Sequence, residues 1–457
     1  MKKTLNGGRV SAGLVALAAL AGTSVANPDV IVGDLPSAVH YGAVGGMRSY
    51  AVGTTSCNIG TTPLLWQANN PNHPVIGQNM YRVWNGRIDN IGISWLKHGF
   101  TALTQNLCGS CQNPGTGSLL GVNCSDPYGA SLNGSQGGLG PRFQVNAYTG
   151  VFNYPWANPQ GSTGNAIFKR CQVPEVDLTA ANYPGALYFF EGHYVTPDDA
   201  QAGNGGNNAS YRRFRVNADF TLTAQGTTQR QKAAIWAWKD NGLGIGVPDP
   251  DVDITTHFAP SDGRYHVGRK VKDNGDGTWT YTYAIQNLDS DRSGASVVIP
   301  LGNGASASDN YFRAPHYHSG EPYDNTPWAY TNSGSSVSWG NPVPWTNNPN
   351  GNALRWGTLY TFQFVSDGAP VAGNMTLNLF KPGPGGTSIS IPTLVPGDVK
   401  VPCLADWNGD GNVDFFDAQL FLGDFSANNP AADLNGDGNI DFFDAAIFLQ
   451  AFSDGCP

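Results

Sequence analysis

The sequence predicts a multidomain, mainly β protein that ends in a small α-helical module. Charged residues make up only 13% of the 457 residues, whereas glycine occurs 59 times. Short runs rich in Tyr, Thr, Val and Trp recur between turn residues, which is typical of β-rich exported proteins with long turns. The acidic residues concentrate at the C-terminus, and this shift in composition indicates a separate terminal module.

The first 26 residues are predicted to be an export signal that is removed. Lys2, Lys3 and Arg9 give a positive start, residues 10–22 are apolar and uncharged, and residues 24–26 offer small side chains for cleavage. The apolar run is too short to cross a bilayer, although a retained anchor is the alternative. We therefore expect a secreted, extracellular protein with no membrane span in the mature chain, free or attached to a cell surface.

Residues 27–250 are expected to form an irregular, β-rich first domain of no recognised family. A helix is predicted over Ile93–Leu107, and Gly246–Asp251 indicates a domain edge. The strand-like runs of this domain are Gly185–Val195, Tyr211–Thr223 and Lys232–Trp238.

Residues 254–392 are predicted to be an antiparallel β-sandwich. Asp273–Gly277 is a tight turn between the runs Tyr265–Val271 and Trp279–Gln286, which indicates a hairpin. Further strand-like runs are Ala295–Pro300, Leu359–Val365 and Met375–Phe380. Strands of this length and spacing suit a sandwich, and residues 393–402 are expected to be a linker.

The negative charge is local rather than general. Residues 397–457 hold eleven Asp and one Lys, which leaves residues 27–396 near −2 once the signal is removed. A basic patch, the usual sign of nucleic-acid binding, is absent from the sequence pattern. We therefore expect no nucleic-acid partner and a cation site at the C-terminus.

The C-terminal segment contains an internal repeat, Asp406–Ser426 and Asp433–Ser453, with 15 of 21 aligned positions identical. Calcium loops place oxygen ligands at alternate positions, with a glycine at the sharp turn. The predicted ligands of two calcium ions are Asp406, Asn408, Asp410, Asn412, Asp414 and Asp417 in the first copy and Asp433, Asn435, Asp437, Asn439, Asp441 and Asp444 in the second. The alternative is an Asp- and Gly-rich turn that binds nothing.

This segment, about 60 of the 457 residues, resembles a type I dockerin, in which two F-hand loops are each followed by one helix. Asp stands at loop position 12, and no helix precedes either loop. Apolar residues recur at helical spacing after each loop, as in Phe415, Phe416, Phe421 and Phe425, so the two helices are expected to bury each other's faces. Cys403 and Cys456 bracket the module and are predicted to form a disulfide.

The resemblance implies a cohesin-like partner, or another docking component of the cell surface, and a role in polysaccharide breakdown. Dockerins that bind cohesins usually carry small polar residues at loop positions 10 and 11. Phe415-Phe416 and Phe442-Phe443 occupy those positions here, so attachment to another cell-surface component is the alternative to cohesin binding.

Five further cysteines precede the module: Cys57, Cys108, Cys111, Cys124 and Cys171. Export favours disulfides, but an odd number cannot all pair internally and the sequence leaves the pairing open. A zinc site formed by Cys108, Cys111 and Cys124 is the alternative.

Two acidic clusters are candidates for catalysis of O-glycosyl hydrolysis, since dockerins often accompany glycoside hydrolases. Glu191 shares a predicted strand face with His193, and Glu321 follows His316 and His318. Hydrogen-bonded structural carboxylates are the alternative. The pair His316 and His318, with His73 or His98, also offers a copper or zinc site.

Two functions without catalysis remain open. Trp156, Trp328, Trp339 and Trp345 lie in loop-like sequence and would give platforms for sugar rings, which predicts a carbohydrate-binding protein; core packing is the alternative. The third possibility is a structural surface protein displayed through its dockerin-like end.

Overall fold

The computed structural model describes residues 27–316, 319–399 and 403–455. It contains two β units and a helical module in chain order, and the strand pairs of the described residues are all antiparallel. The mainly β prediction is confirmed. The predicted export signal lies outside the described residues. Within the described ranges, no helix combines the length and the apolar character needed to cross a membrane.

The first unit is built on one large twisted sheet. Its strands are β1 (Val30–Asp34), β2 (Ala38–Val44), β3 (Met47–Val52), β4 (Thr54–Asn58), β5 (Leu64–Leu65), β6 (Val75–Trp84), β7 (Arg87–Ile93), β8 (Leu96–His98), β9 (Leu119–Leu120), β10 (Ser125–Tyr128), β11 (Leu139–Gly140), β12 (Val145–Asn146), β13 (Val151–Phe152), β14 (Cys171–Pro174), β15 (Leu187–Val195), β16 (Ala209–Val216) and β17 (Leu222–Gln229). The large sheet has the order β17-β16-β15-β6-β7-β14-β3-β2, with β8 joined to β6 and β11.

A small sheet, β1-β4-β10, covers one face of the large sheet. Alternation along β15 explains how the two faces differ, because successive side chains of a strand point to opposite sides. Phe190 and Tyr194 enter the core beneath the small sheet, whereas Phe189 enters the core against the second unit.

The second unit is a two-sheet sandwich, as the sequence predicts. Its strands are β18 (Asp253–Phe258), β19 (Arg264–Asp273), β20 (Trp279–Asn287), β21 (Gly294–Pro300), β22 (Ser308–Arg313), β23 (Ala329–Asn332), β24 (Ser336–Gly340), β25 (Thr358–Ser366), β26 (Pro370–Leu379) and β27 (Ser388–Pro396). The sheets have the orders β18-β19-β20-β25-β22 and β23-β24-β21-β26-β27. The predicted hairpin is β19-β20, and β27 extends to Pro396, so strand occupies the start of the predicted linker.

The two β units pack directly on each other because strands β20 and β25 are buried on both faces. Tyr283 and Phe362 face the sandwich core, while their neighbours Ala284 and Thr361 face the first unit, where the Thr361 hydroxyl bonds the Ile88 carbonyl. The apolar helix α4, described below, fills the rest of this interface.

Four short or medium helices and two longer ones complete the fold. They are α1 (Ala130–Asn133), α2 (Glu175–Leu178), α3 (Pro197–Ala202), α4 (Ile235–Asn241), α5 (Phe415–Ser426) and α6 (Phe442–Asp454), with 3-10 turns at Gln136–Gly138, Arg142–Gln144 and Pro430–Ala432.

Two local predictions are wrong. The predicted strand Lys232–Trp238 is largely α4, since a short apolar run does not by itself distinguish a strand from a buried helix. The predicted helix Ile93–Leu107 is instead the end of β7, then β8 and loop. The Trp95 N–H bonds the Lys169 carbonyl across the fold, 2.9 Å away, rather than a helical partner.

The structure resolves the pairing of four cysteines. Disulfides join Cys57 to Cys108 and Cys111 to Cys124, and Cys171 is a buried free thiol. The zinc alternative is therefore wrong, because all three of its thiols are oxidised. Cys403 is disulfide-bonded, and its predicted partner, Cys456, lies outside the described residues.

The helical module holds the two repeats together through one pair of rings. Phe421 and Phe448, which are equivalent in the repeat, stack with centroids 4.0 Å apart and an interplanar angle of 3°. Both are buried, with Phe425 and Phe452 packed around them. Phe415, at the start of α5, is by contrast 72% exposed.

Candidate functional site

The two predicted calcium loops have the same backbone course. Gly411 and Gly438, at loop position 6, have φ values of 89° and 86°. Side chains strongly disfavour this left-handed region, so glycine is required where each loop turns sharply. The repeat in sequence is thus a repeat in conformation.

The carboxylate at position 12 closes each loop and also begins the following helix. Asp417 accepts hydrogen bonds from the backbone N–H groups of Asn408 and Asp414, at 3.0 and 2.9 Å. Asp444 repeats this arrangement with Asn435 and Asp441, at 3.1 and 2.9 Å. Both helices carry a capping box. The N–H of Asn408 holds the pKa of Asp417 below its usual value.

The donor chemistry of the loops fits calcium, which prefers carboxylate, amide and carbonyl oxygens. Asp406 Oδ1, at position 1, is buried and has no hydrogen-bond partner among the described residues. Yet no group of three or more His, Cys, Asp or Glu side chains in the described part of the chain lies close enough together to hold a metal. The loop carboxylates bond backbone N–H groups instead, as when Gly411 donates to Asp406 Oδ2 at 2.9 Å. Two calcium ions remain a prediction.

Each helix of the module begins with a pair of exposed phenylalanines. Phe415 and Phe416 are 72% and 61% exposed, and Phe442 and Phe443 are 77% and 63% exposed. Large apolar side chains this exposed are unusual and mark interaction surfaces when they cluster. We call these four residues the phenylalanine pairs.

Glu191 lies fully buried between the two β units. Its Oε1 accepts from Asn79 Nδ2 at 2.8 Å and from the Tyr81 hydroxyl at 3.1 Å. Its Oε2 accepts from the Ala234 N–H at 2.6 Å and from Gln286 Nε2 at 2.7 Å. Burial raises the pKa of Glu191. With all four bonds made to protein donors, the carboxylate suits a structural role, and its catalytic role stays a prediction.

Glu321 is also buried, and it holds a 3-10 turn of the first unit. Its Oε1 accepts from the Arg142 N–H at 2.6 Å, and its Oε2 from the Phe143 N–H at 3.2 Å. Burial raises the pKa of Glu321 to about 7. This carboxylate therefore titrates near neutral pH, although its oxygens face backbone rather than open solvent.

Arg142 connects the two predicted carboxylates, and sequence reasoning missed it. Its Nη2 donates to Asn79 Oδ1 at 2.8 Å, and Asn79 in turn bonds Glu191. Its backbone N–H bonds Glu321. The only sequence signal was the density of Gly and polar residues in Cys124–Arg142, which does not reveal a buried arginine.

The histidines fall into different surroundings. His73 Nε2 and His98 Nδ1 are 2.9 Å apart, and the His98 ring stacks on Trp156 with centroids 3.9 Å apart. Burial lowers the pKa of His98 to about 2, so this pair is neutral. His316 is exposed, whereas His318 lies outside the described residues.

Two of the four tryptophans proposed as platforms are core residues. Trp328 and Trp339 are 3% and 0% exposed inside the sandwich, so their assignment to a sugar surface is wrong. Trp345 instead lines a cleft between the β units, together with Arg142 and Trp356.

No protein-family model matches the chain, and no curated protein matches it. Among solved structures, the N-terminal domain of the Streptococcus gordonii adhesin Sgo0707 aligns with 82% of this chain and 99% of that chain, at 8% identity and a TM-score of 0.18. A similarity this low carries no argument about fold or function.

We expect Glu191→Ala to lower the free energy of unfolding by at least about 3 kcal/mol, because it leaves four buried donors without an acceptor. Urea unfolding followed by tryptophan fluorescence measures this loss. Glu175→Ala is the matched control, since Glu175 forms a partly exposed ion pair with Arg48 and its loss should cost less than about 1 kcal/mol. Equal losses in the two variants would contradict the structural role.

Glu321 is expected to make the protein less stable as the pH rises from 4.5 to 7. Its folded pKa, about 7, lies above its ordinary value of 4.5, so its stabilisation is complete below pH 4.5 and is lost through pH 7. Each such carboxyl contributes a slope of about 1.4 kcal/mol per pH unit in this window.

Asp199, whose pKa burial also raises to about 7, contributes to the same window. Glu321→Gln should therefore reduce the slope without abolishing it, as measured by urea unfolding at pH 5 and pH 7. An unchanged slope in this variant would show that Glu321 titrates normally in the fold.

Proposed function

We propose that this is an exported protein whose C-terminal dockerin-like module binds two calcium ions and docks on a cell-surface partner, while its β units bind a glycan. The setting implied by the module is polysaccharide breakdown. The proposal has a docking half, which is calcium binding and docking by the terminal module, and a glycan half, which is glycan binding by the β units. The two halves are tested separately.

The observation that carries the docking half is the two-fold repetition within the module. The loops share a glycine turn and a closing carboxylate, and the helices that follow them stack Phe421 on Phe448. Neither repeat buries its apolar face alone, so the two loops form one unit. Eleven carboxylates within about 60 residues repel one another, and bound cations would relieve that repulsion.

The phenylalanine pairs are the proposed docking surface. They are equivalent under the repeat and lie at the start of each helix, next to the loops, so calcium binding would order the segment that presents them. Their apolar character favours a partner with an apolar docking face, either a variant cohesin or another component of the cell surface.

The glycan half is favoured over hydrolysis by the surroundings of the candidate carboxylates. Glu191 has all its bonds inside the protein, and Glu321 sits behind Arg142 and Phe143. The cleft between the units instead presents the rings of Tyr323 and Trp345, which suit stacking on sugar.

An extracellular location agrees with the chemistry of the cysteines. Two disulfides link Cys57 to Cys108 and Cys111 to Cys124, and disulfides persist in oxidising compartments. Together with the predicted export signal, this supports secretion.

Calcium titration of the full mature chain is expected to give two bound ions by isothermal calorimetry. Asp406→Asn with Asp417→Asn should leave one ion, because it removes carboxylates from positions 1 and 12 of the first loop only. Asp454→Asn, which changes one charge at the end of α6 outside both loops, should still bind two. Two ions in all three proteins would place calcium elsewhere, and none in the parent protein would contradict the proposal.

The same proteins test docking. Phe415→Ser, Phe416→Ser, Phe442→Ser and Phe443→Ser combined should keep two calcium ions but lose binding to a cohesin panel or to isolated cell envelopes. Leu404→Ser, at an apolar residue 48% exposed beside the first loop, is the control that should still dock. Docking that survives in both variants would move the docking surface elsewhere.

Polysaccharide gels and a reducing-end assay separate the two forms of the glycan half. We expect retarded migration in at least one glycan-containing gel and no new reducing ends, because both candidate glutamates are bonded to protein donors. New reducing ends that disappear in Glu321→Gln would establish a hydrolase instead. Neither retardation nor release would leave a structural surface protein as the function.

A further inference from the structure

A cleft lies between the two β units, directly in front of the turn that Glu321 holds. Its volume is about 150 Å³, and a cavity of that size accommodates a single six-membered ring. Arg142 and Phe143 line it from the first unit, and Tyr323, Trp345 and Trp356 line it from the second. A ligand in the cleft would therefore contact both units.

The lining is positively charged although the β units as a whole are slightly acidic. Arg142, Arg355 and Lys381 contribute cations, and Asp291 is the one carboxylate of the lining. Asp291 is paired with Lys381. Among the described residues, neither arginine has a carboxylate within salt-bridge distance.

Glu321 is the countercharge behind the cleft, and it neutralises the arginines only in part. Burial has the larger effect and raises the pKa of Glu321 to about 7, whereas the charges of both arginines lower this pKa. Near neutral pH a substantial fraction of Glu321 is therefore protonated, and the cleft keeps a positive excess.

Both arginines also have unused hydrogen-bond donors. Arg142 is 3% exposed and Arg355 is 9% exposed, and within the described chain Arg142 Nη1 and Arg355 Nε are buried without a partner. Arg142 Nε donates to the Ser94 carbonyl at 2.7 Å, and Arg355 Nη2 donates to the Gly351 carbonyl at 2.8 Å, whereas Arg355 Nη1 has no hydrogen-bond partner among the described residues. Arg355 lines the cleft with Nη1 unpaired among the described residues, so this guanidinium is the one that can take an acceptor from a ligand there.

Each cation of the lining lies against an aromatic ring. The Arg142 guanidinium is 5.4 Å from the Trp356 ring centroid, that of Arg355 is 4.1 Å from the Tyr323 centroid, and Lys381 Nζ is 5.6 Å from the Trp345 centroid. Aromatic faces stack on the C–H faces of a sugar ring, and guanidinium groups bind planar carboxylates through paired hydrogen bonds. A ligand with both a sugar ring and a carboxylate therefore matches the neighbouring aromatic rings and cations of the lining.

We infer that the cleft binds one acidic sugar residue, a uronic acid, with its carboxylate on Arg355 and its ring on Trp345. This rests on the glycan half of the proposed function and names the ligand class. Asp291 is placed to accept hydrogen bonds from the sugar hydroxyls, while Lys381 adds a charge at the mouth.

The inference is tested by calorimetric titration of the full mature chain with α-1,4-linked trigalacturonate in a buffer that contains calcium. The matched ligand is its fully methyl-esterified form, which keeps the ring and linkage but removes the charge. We expect the acid to bind at least about tenfold more tightly than the ester, because the ester loses the charge-assisted bonds. The difference should shrink at high salt.

Two variants locate the site. Lys381→Gln should weaken trigalacturonate binding about tenfold and leave the ester unaffected, whereas Trp345→Ala should weaken both. Lys272→Gln, the same charge change on the exposed β19-β20 hairpin, should change neither. Equal losses in Lys381→Gln and Lys272→Gln would show only general attraction of an anion and overturn the site.

The remaining outcomes separate this inference from the proposed function. Equal affinity for acid and ester would overturn the uronic acid and leave glycan binding intact. Binding of a sulfated trisaccharide in preference to trigalacturonate would overturn the carboxylate. No binding of either trisaccharide, with gel retardation by another glycan, would overturn the inference alone, and loss of all retardation would overturn both.

Discussion

The buried chain of hydrogen bonds from Gln286 through Glu191 and Asn79 to Arg142 is the constraint on which the β body depends. It begins in the second unit, crosses into the first, and returns to the second where the Arg142 N–H meets Glu321. Buried polar groups are costly unless each is bonded, so the network is satisfied in only one relative placement of the two units. Apolar packing supplies the bulk of the interface, and the network determines its register.

That constraint explains why the acidic residues most suggestive of catalysis have structural positions. A carboxylate that must join two units is surrounded by protein donors, and it has little room for a substrate. Nearby, Arg82 plays a comparable part: it pairs with Asp89 at 2.8 Å and Asp177 at 2.9 Å, and the second unit reaches the same carboxylates through Tyr311 and Arg313. Buried charge at this interface therefore joins the two units.

In the proposed function, the cleft binds the ligand and the terminal module attaches the protein to its partner. The cleft exists only because two units meet, and among the described residues its two arginines have no carboxylate within salt-bridge distance, whereas Lys381 pairs with Asp291. The module, by contrast, is built on its own repeat and a single ring stack, Phe421 on Phe448. Ligand recognition by the β units and attachment through the module are therefore proposed as separable functions of one chain.

The sequence by itself determined the features that depend on local order. The Asp273–Gly277 turn between two strand-like runs predicted the β19-β20 hairpin, and the 27-residue offset of the repeat predicted two equivalent loops and helices. Only the tertiary structure decided the rest. The segment Ile235–Trp238 of the predicted strand is helical and is buried between the two units. The cysteine pairing depends on loops brought together in space, and Arg142 holds a central position through contacts with side chains distant in the chain. Such long-range contacts leave no periodic trace in a single sequence, and so neither the cleft nor the four hydrogen-bond donors around Glu191 could be inferred before the fold was known.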